Sequence, residues 1–262
     1  MRTRSRDLLE LVRRREAVLG CLVDTPRDKR DLTCQLDVSR QTVDRAIREL
    51  ESAAMVERVE GDYRLTLFGE LLYREFASLL DRLECLSSVL DLLAHLPPDT
   101  AISADVLVGA EVVPAGHPLP HEPIRRLEEL VEGADRLAGY SPVAFPQHVS
   151  LFHHQITRTD TEIELFLDTS LIEGLRSGYD EELREALAAP DFTLYRLPEA
   201  DRPDLGIVLL DDSTVWLGVY GDDGNVRGAA VTGTDAAVAW ARDRLADCRA
   251  AGQAVPAPSP DG

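Results

Sequence analysis

Lysine is nearly missing from this chain. Lys29 is the only one in 262 residues, so arginine carries almost all of the positive charge. Cysteine is scarce as well: Cys21, Cys34, Cys85 and Cys248 are scattered, with no Cys-x-x-Cys pair. That pattern excludes a zinc ribbon and a disulfide framework. Apolar residues make up 44% of the chain, enough for real cores, yet no run of them is long enough to span a bilayer. The first residues, Met1-Arg-Thr-Arg-Ser-Arg6, are basic and polar, unlike a secretory signal. Gly-x-Ser-x-Gly, a Walker loop and Gly-x-Gly-x-x-Gly are all missing. These absences predict a soluble, cytoplasmic protein that uses no cofactor and has no membrane partner.

Metal chemistry is poorly supplied too. His117-Pro-Leu-Pro-His121-Glu122-Pro123 offers two histidines and a carboxylate. Its prolines forbid a helical i, i+4 pair, and no His/Cys cluster elsewhere completes the set, so a rigid loop and no metal site are expected. His153 and His154 fall mid-helix, where neighbours diverge by about 100° and cannot share a ligand face.

Charge is abundant but unevenly placed. The formal net charge is −19. Residues 1–64 hold 14 Lys/Arg against 13 Asp/Glu, a net of +1, and the remainder holds 14 against 34, a net of −20. The acidity therefore lies outside the N-terminal segment. Abundant acid with arginine as the retained cation resembles proteins of salt-accumulating archaea; acidity that merely aids solubility is the simpler alternative. High salt would screen the repulsion of DNA and also weaken phosphate contacts, leaving more to base contacts or to dimerisation.

The near-neutral segment contains the most informative stretch, Lys29–Met55. It reads as two short helices broken at Leu36-Asp37-Val38, with Ser39 capping the second. Val43, Ala46, Ile47 and Leu50 are spaced i, i+3, i+4, i+7 and form one apolar stripe. The opposite face carries Arg40, Gln41, Asp44, Arg45 and Arg48. An amphipathic helix over residues 6–23 precedes this pair, and its Arg13, Arg14 and Arg15 read as solvated surface. Val56–Thr66 follows as two strands about a Gly61-Asp62 turn. Helix, turn, helix and hairpin in that order predict a winged helix, an arrangement that can put one helix into the DNA major groove. The competing reading is a helical hairpin whose arginines pair with Asp44 and Glu49.

The stretches SRQTVDRAIRELE and YRLTLFGELL resemble those of archaeal winged-helix transcription regulators over the first ~100 residues. The resemblance implies double-stranded DNA as partner. Arg40, Gln41, Thr42 and Arg45 would read base edges, since Arg matches guanine and Gln adenine bidentately. Lys29, Arg30, Ser39 and Arg48 would meet phosphate, and Arg58 and Arg64 would reach the backbone or minor groove from the wing.

Residues 67–96 are expected to form one long connecting helix stopped by Pro97-Pro98. Leu72, Phe76, Leu79, Leu83, Leu86, Leu90 and Leu93 recur in steps of four and three, a heptad seam that predicts a homodimer. An intramolecular core helix is the alternative.

Residues 97–250 alternate strand-like and helix-like segments. Strands are expected at Asp105–Val112, Glu162–Leu167, Phe192–Leu197, Gly206–Leu210, Thr214–Tyr220 and Val226–Val231, the last three as an antiparallel meander. Helices are expected at Glu122–Glu132, Gln147–Thr157, Thr169–Ser177, Asp180–Ala188 and Asp235–Ala250. The fold class is thus α+β: a winged helix-turn-helix at 1–66, the connecting helix at 67–96, and an α/β domain at 97–250. The Pro/Gly/Ala/Ser tail, 251–262, is expected to be disordered.

The α/β half resembles the effector domain of archaeal winged-helix regulators of the TrmB and phospholipase-D-like kind. The resemblance rests on Pro118…Pro123, Gly139-Tyr-Ser-Pro142, Glu162-Ile-Glu-Leu165, Val219-Tyr-Gly-Asp-Asp-Gly224 and Trp240-Ala241. Phospholipase-D enzymes need His-x-Lys-x4-Asp, and this chain has no lysine there. The resemblance therefore implies sensing or assembly with no catalytic residues. The Gly139–Pro142 loop, with His121, Arg125, Tyr140, Ser141 and His148, is the candidate site for a small-molecule effector, and a helix N-terminus there would suit an anion. Two other readings stay open: a degenerate winged helix serving as a protein-interaction adaptor, and an enzyme in residues 99–250.

Overall fold

A computed structural model describes residues 2–116 and 121–258. The chain divides into two compact units, with the boundary between Leu83 and Glu84. The expected α+β class is what the structure has: a winged helix first, and a sheet with covering helices second.

In the first unit, helix α1 (Arg2–Leu22) is kinked at Arg15 and precedes α2 (Lys29–Leu36) and α3 (Arg40–Ser52). Asp28 caps α2 by accepting from the Arg30 and Asp31 amides, and Asp37 turns the chain in the left-handed region, φ 50°. Ser39 caps α3, accepting from the Thr42 amide at 3.2 Å. These caps satisfy amides that a helix start leaves without partners, so the break falls where the short polar residues stand. Val43, Ala46, Ile47 and Leu50 are all buried, together with Val12, Leu19 and Leu32. Full burial of each valine, leucine or isoleucine among them contributes ~1.5–3 kcal/mol.

Strands β1 (Val56–Val59) and β2 (Asp62–Leu65) form the wing. Val59 pairs with Asp62, so the turn is Glu60-Gly61, one residue earlier than the sequence suggests. Both turn residues have positive φ, 52° and 107°, the geometry that matches the strand twist of a tight hairpin. Arg27 makes an isolated antiparallel bridge to Tyr63.

Helix α4 (Leu67–Ser88) starts hard against this unit: a Cβ at Gly69 would lie 2.0 Å from the Met55 carbonyl oxygen. The expected single helix over 67–96 stops at Ser88. Ser88 Oγ donates to the Cys85 carbonyl (2.7 Å), and Val89 leaves helical geometry before the four-residue α5 (Leu90–Leu93).

The second unit is built on an eight-stranded mixed sheet. Its elements in chain order are α6 (Ala104–Leu107), β3 (Glu111–Pro114), α7 (Glu122–Glu132), β4 (Arg136–Tyr140), α8 (Pro146–Arg158), β5 (Glu162–Asp168), α9 (Thr169–Gly178), α10 (Asp180–Ala188), β6 (Phe192–Leu197), β7 (Gly206–Leu210), β8 (Thr214–Tyr220), β9 (Val226–Thr232), α11 (Asp235–Ala251) and β10 (Gln253–Ala254). The sheet order is β10-β6-β5-β4-β7-β8-β9-β3. β4, β5 and β6 run parallel, joined by α8 and by α9–α10, and the other pairings are antiparallel. Successive right-handed crossovers in one direction put α8, α9 and α10 on the same sheet face. Leu137, Ile163, Val208 and Trp216 pack there, while Phe166, Ile207, Leu209 and Leu217 pack with α11 on the other.

Three expectations fail in this unit. The strand expected at Asp105–Val112 is a helical turn followed by a shorter strand, because adjacent Val106 and Leu107 both pack into the same core and Gly109 turns the chain at φ 69°. Neighbouring side chains on a strand would point to opposite faces. The segment expected as a loop includes strand β4, paired on both edges. The tail expected to be disordered from residue 251 adds β10 to the edge of β6 and buries Val255. The final four residues, and His117–Pro120 of the His/Pro motif, lie outside the described residues.

Candidate nucleic-acid interface and ligand cleft

The outer face of α3 is the first candidate. With its apolar stripe fully buried, the helix leaves Arg40, Gln41, Arg45 and Arg48 exposed. Arg40 and Gln41 have no hydrogen-bond partner for their side chains among the described residues. Arg45 Nε donates to Glu49 (3.0 Å) but remains 73% exposed, and Arg48 Nε donates to the Asp44 carbonyl. Ser39 and Thr42 face each other, their hydroxyls 2.8 Å apart, and are engaged in the cap.

Lys29 is held differently from the sequence expectation. Its Nζ lies 2.6 Å from Asp44 and over the Tyr63 ring, clamping α2 to α3 and the wing. That hydrogen bond holds the Asp44 carboxyl below its ordinary pKa. Glu49 ties α3 to α1 through Arg14 and Arg15, also pairs with Arg45 on its own helix, and is likewise held low, chiefly by Arg15. On the wing, Arg58 lies over the Tyr63 ring and Arg64 pairs with Glu57; Arg30 is exposed at the start of α2.

The heptad seam is divided by packing. Phe76 and Leu72 are absorbed by the core of the first unit, and Leu93 packs in the second. Leu79, Leu83 and Leu90 stay exposed and Leu86 half-buried. The seam fails as one surface because a helix lying on its own domain spends its inner residues there. What remains exposed on α4 in the first unit is Leu67, Phe68, Leu71, Leu79 and Leu83, of which Phe68, Leu79 and Leu83 lie within about 60° of one another at 3.6 residues per turn.

The second candidate is a cleft beneath α8 and α9–α10, at the carboxyl ends of β4 and β5, with a volume of about 110 Å³. Ligands in open α/β sheets commonly sit beyond these strand ends. Gly139 and Val208 form its floor beside the Trp216 indole, whose Nε1 donates to the Pro123 carbonyl (3.2 Å). A Cβ at Gly218 would fall 2.1 Å from that indole, so glycine there is what lets the ring lie on the sheet.

The structure places Ser141 and His148 on this cleft and adds Tyr220; Tyr140 borders it, but its ring packs in the core on the other face of the sheet, with Phe166, Ile207 and α11. Tyr140 Oη, His148 Nε2 and Tyr220 Oη are buried without a hydrogen-bond partner among the described residues. Burial pushes the Tyr220 hydroxyl up to about 12 and the His148 imidazole down to about 4, and lifts Tyr140 well above the usual tyrosine range. Ser141 lies beside Tyr220 but donates its hydroxyl to the Val143 carbonyl (2.7 Å). His121 and Arg125 are not part of the cleft. Arg125 is exposed and bonded to Glu122 and Glu129 along its own helix, which the i, i+3 and i, i+4 spacings favour. Among the described residues, no group of three His, Cys, Asp or Glu is placed to hold a metal ion. No described helix is long and apolar enough to cross a membrane.

Comparison with known proteins bears on both halves. Residues 3–87 match the HVO_A0261 N-terminal domain. A methanogenesis regulatory protein, FilR1 of Methanothrix harundinacea, is 26% identical over 237 residues, covering 85% of this chain and 52% of that protein. The chain thus spans about half the length of the curated relative it matches. TrmBL2, an archaeal chromatin protein described as showing a novel mode of DNA binding, overlaps 95% of this chain and 99% of its own at 13% identity and a TM-score of 0.43. Nuc, a phospholipase D family member from Salmonella typhimurium, overlaps 56% of this chain and 98% of its own at 12% identity and a TM-score of 0.44. Both of these are loose overlaps. The match over residues 120–251 takes in half of the chain, and on it the chain belongs to the family described as the middle domain of the methanogenesis regulatory protein FilR1.

Proposed function

We propose that this protein is a sequence-specific DNA-binding transcription regulator that works as a homodimer in the cytoplasm, with its second unit as an effector domain and no enzymatic activity. The observation that carries the reading is α3: its four core positions are fully buried, and Arg40, Gln41, Arg45 and Arg48 stand on its free side beside a wing bearing Arg58 and Arg64. A recognition helix needs that division between a packed face and a bonding face. Membership of a family named for a regulatory protein supports it. So does the charge distribution, which keeps the −20 of acidic excess out of residues 1–64. Arg40, Gln41, Thr42 and Arg45 are assigned to base edges. Arg30, Ser39, Arg48, Arg58 and Arg64 are assigned to the backbone, Lys29 joining them only if its pair with Asp44 opens. The exposed face of α4, Phe68, Leu79 and Leu83, is assigned to the dimer.

One observation favours the adaptor alternative: Lys29 and Arg45 are already paired with carboxylates, which lowers the free positive charge of the face. Enrichment of random DNA fragments on the purified full chain, across a salt series, separates the two readings. A palindromic motif whose preference at one base pair relaxes in Arg45→Ala, by ~1–3 kcal/mol, supports the regulator. No enrichment at any salt refutes it.

A further inference from the structure

The cleft of the second unit has a chemical signature that narrows what it takes. Its walls are almost wholly apolar: Val143, Val149, Phe152, Leu183, Val208 and Trp216 among others. No arginine or lysine lines it, and the charged side chain on its rim is Glu182. An anion placed there would lose its hydration with no cation to replace it, which counts against the anionic metabolite that the helix N-terminus alone suggests. Against this apolar wall stand two buried polar atoms, His148 Nε2 and Tyr220 Oη, neither with a partner among the described residues. His148 is 5% exposed, held edge-on between the Phe145 and Phe152 rings. Buried polar atoms normally have partners, and two orphans on one cavity require explanation. Apolar walls around a few convergent polar groups are the general form of a small-molecule site.

We propose that this cleft binds a neutral, mainly apolar small molecule of about one ring, carrying a hydroxyl or carbonyl that bonds to the Tyr220 hydroxyl and to His148. A cavity of about 110 Å³ limits the buried part to that size. An apolar cavity of ~150 Å³ is known to admit benzene. Neutral His148 can donate or accept through Nε2 according to its tautomer, and the Tyr220 hydroxyl can do both, so the pocket reads the presence of a polar head more than its kind. Its role as an effector site rests on the regulator reading; the binding itself does not.

The test uses the full chain and three probes of one shape: p-cresol, toluene and benzoate. Calorimetric titration and thermal melting are run without DNA, and DNA retardation is measured separately without probe, so failure of the site and failure of the regulator reading are distinguishable. The expected result is saturable binding of p-cresol with a raised Tm. Toluene, lacking the hydroxyl, should bind about 2- to 12-fold more weakly, and benzoate more weakly still. Tyr220→Phe should leave the Tm without probe unchanged or raised, since it removes an unpartnered hydroxyl, while weakening p-cresol but not toluene; Tyr140→Phe, on the other face of the sheet, should leave the binding of both probes unchanged. A Tm that falls in Tyr220→Phe, with no probe bound by the wild type, would mean that the hydroxyl is satisfied by water and would overturn the proposal. Tighter binding of benzoate than of p-cresol would overturn it as well.

Discussion

His148 allows the burial of the cleft to be read as a pH dependence of stability. Its imidazole is 5% exposed, and burial holds its pKa near 4, against 6.5 for the free side chain. The unfolded chain therefore takes up a proton first as the pH falls. Stability is unaffected above pH 6.5, declines below it, and stops declining only once the folded pKa near 4 is passed. Between pH 7.5 and 4.5 the loss from this one group is about 2.5 kcal/mol, since each pKa unit of difference corresponds to ~1.4 kcal/mol. The carboxylates also titrate across this range, so the measurement is a double difference. Urea unfolding of the wild type and of His148→Leu at both pH values cancels what the two proteins share. Both tryptophans, Trp216 and Trp240, lie in the second unit, so their emission reports its unfolding directly. The wild type should lose about 2.5 kcal/mol more than the variant on going to pH 4.5. Equal losses in the two proteins would refute the reasoning, because they would mean that His148 is protonated as easily in the folded state as in water.

Other outcomes follow from single contacts. Gly69→Ala sets a Cβ 2.0 Å from the Met55 carbonyl oxygen, a backbone atom that cannot swing aside. It should cost about 3 kcal/mol or more, visible as a lowered Tm by far-UV circular dichroism. Ile47→Ala, at a fully buried position of α3, should cost ~2–5 kcal/mol in chemical denaturation. Leu79→Glu with Leu83→Glu, both on the exposed side of α4, should leave the melting curve nearly unchanged and convert a dimer to a monomer by sedimentation; an unaltered mass would move the interface elsewhere. Arg58→Ala should weaken binding to all DNA sequences alike and reduce the salt slope by about 1, whereas a sequence-dependent loss would make it a base reader.

The division between what could and could not be read in advance has a physical cause. In the first unit the sequence by itself determined the helix pair and its buried stripe. Asp28, Ser39 and Asp37 are short polar residues that cap or turn the chain locally, and Val43, Ala46, Ile47 and Leu50 need only the 3.6-residue period to share a face. The strands of the meander were equally legible, because β7, β8 and β9 are bounded by their own turn residues. Strand β4 was hidden: Arg136-Leu-Ala-Gly-Tyr140 has little strand character of its own, and its two neighbours, from residues 162–168 and 206–210, make it one. Val255 was hidden for the same reason, since a Pro- and Ala-rich tail becomes ordered only where β6 presents a free edge. The heptad of α4 was visible as a period, but which leucines face a partner depends on which the molecule's own cores absorb. So it was with the cleft. Ser141 and His148 could be chosen from a loop near Pro142, whereas Tyr220 and Trp216 come to it from a strand some 70 residues further on, and only the pairing of β4 turns the Tyr140 ring to the other face. Local periodicity and capping are written in consecutive residues; a cavity and the orphaned polar atoms within it exist only once distant strands pair.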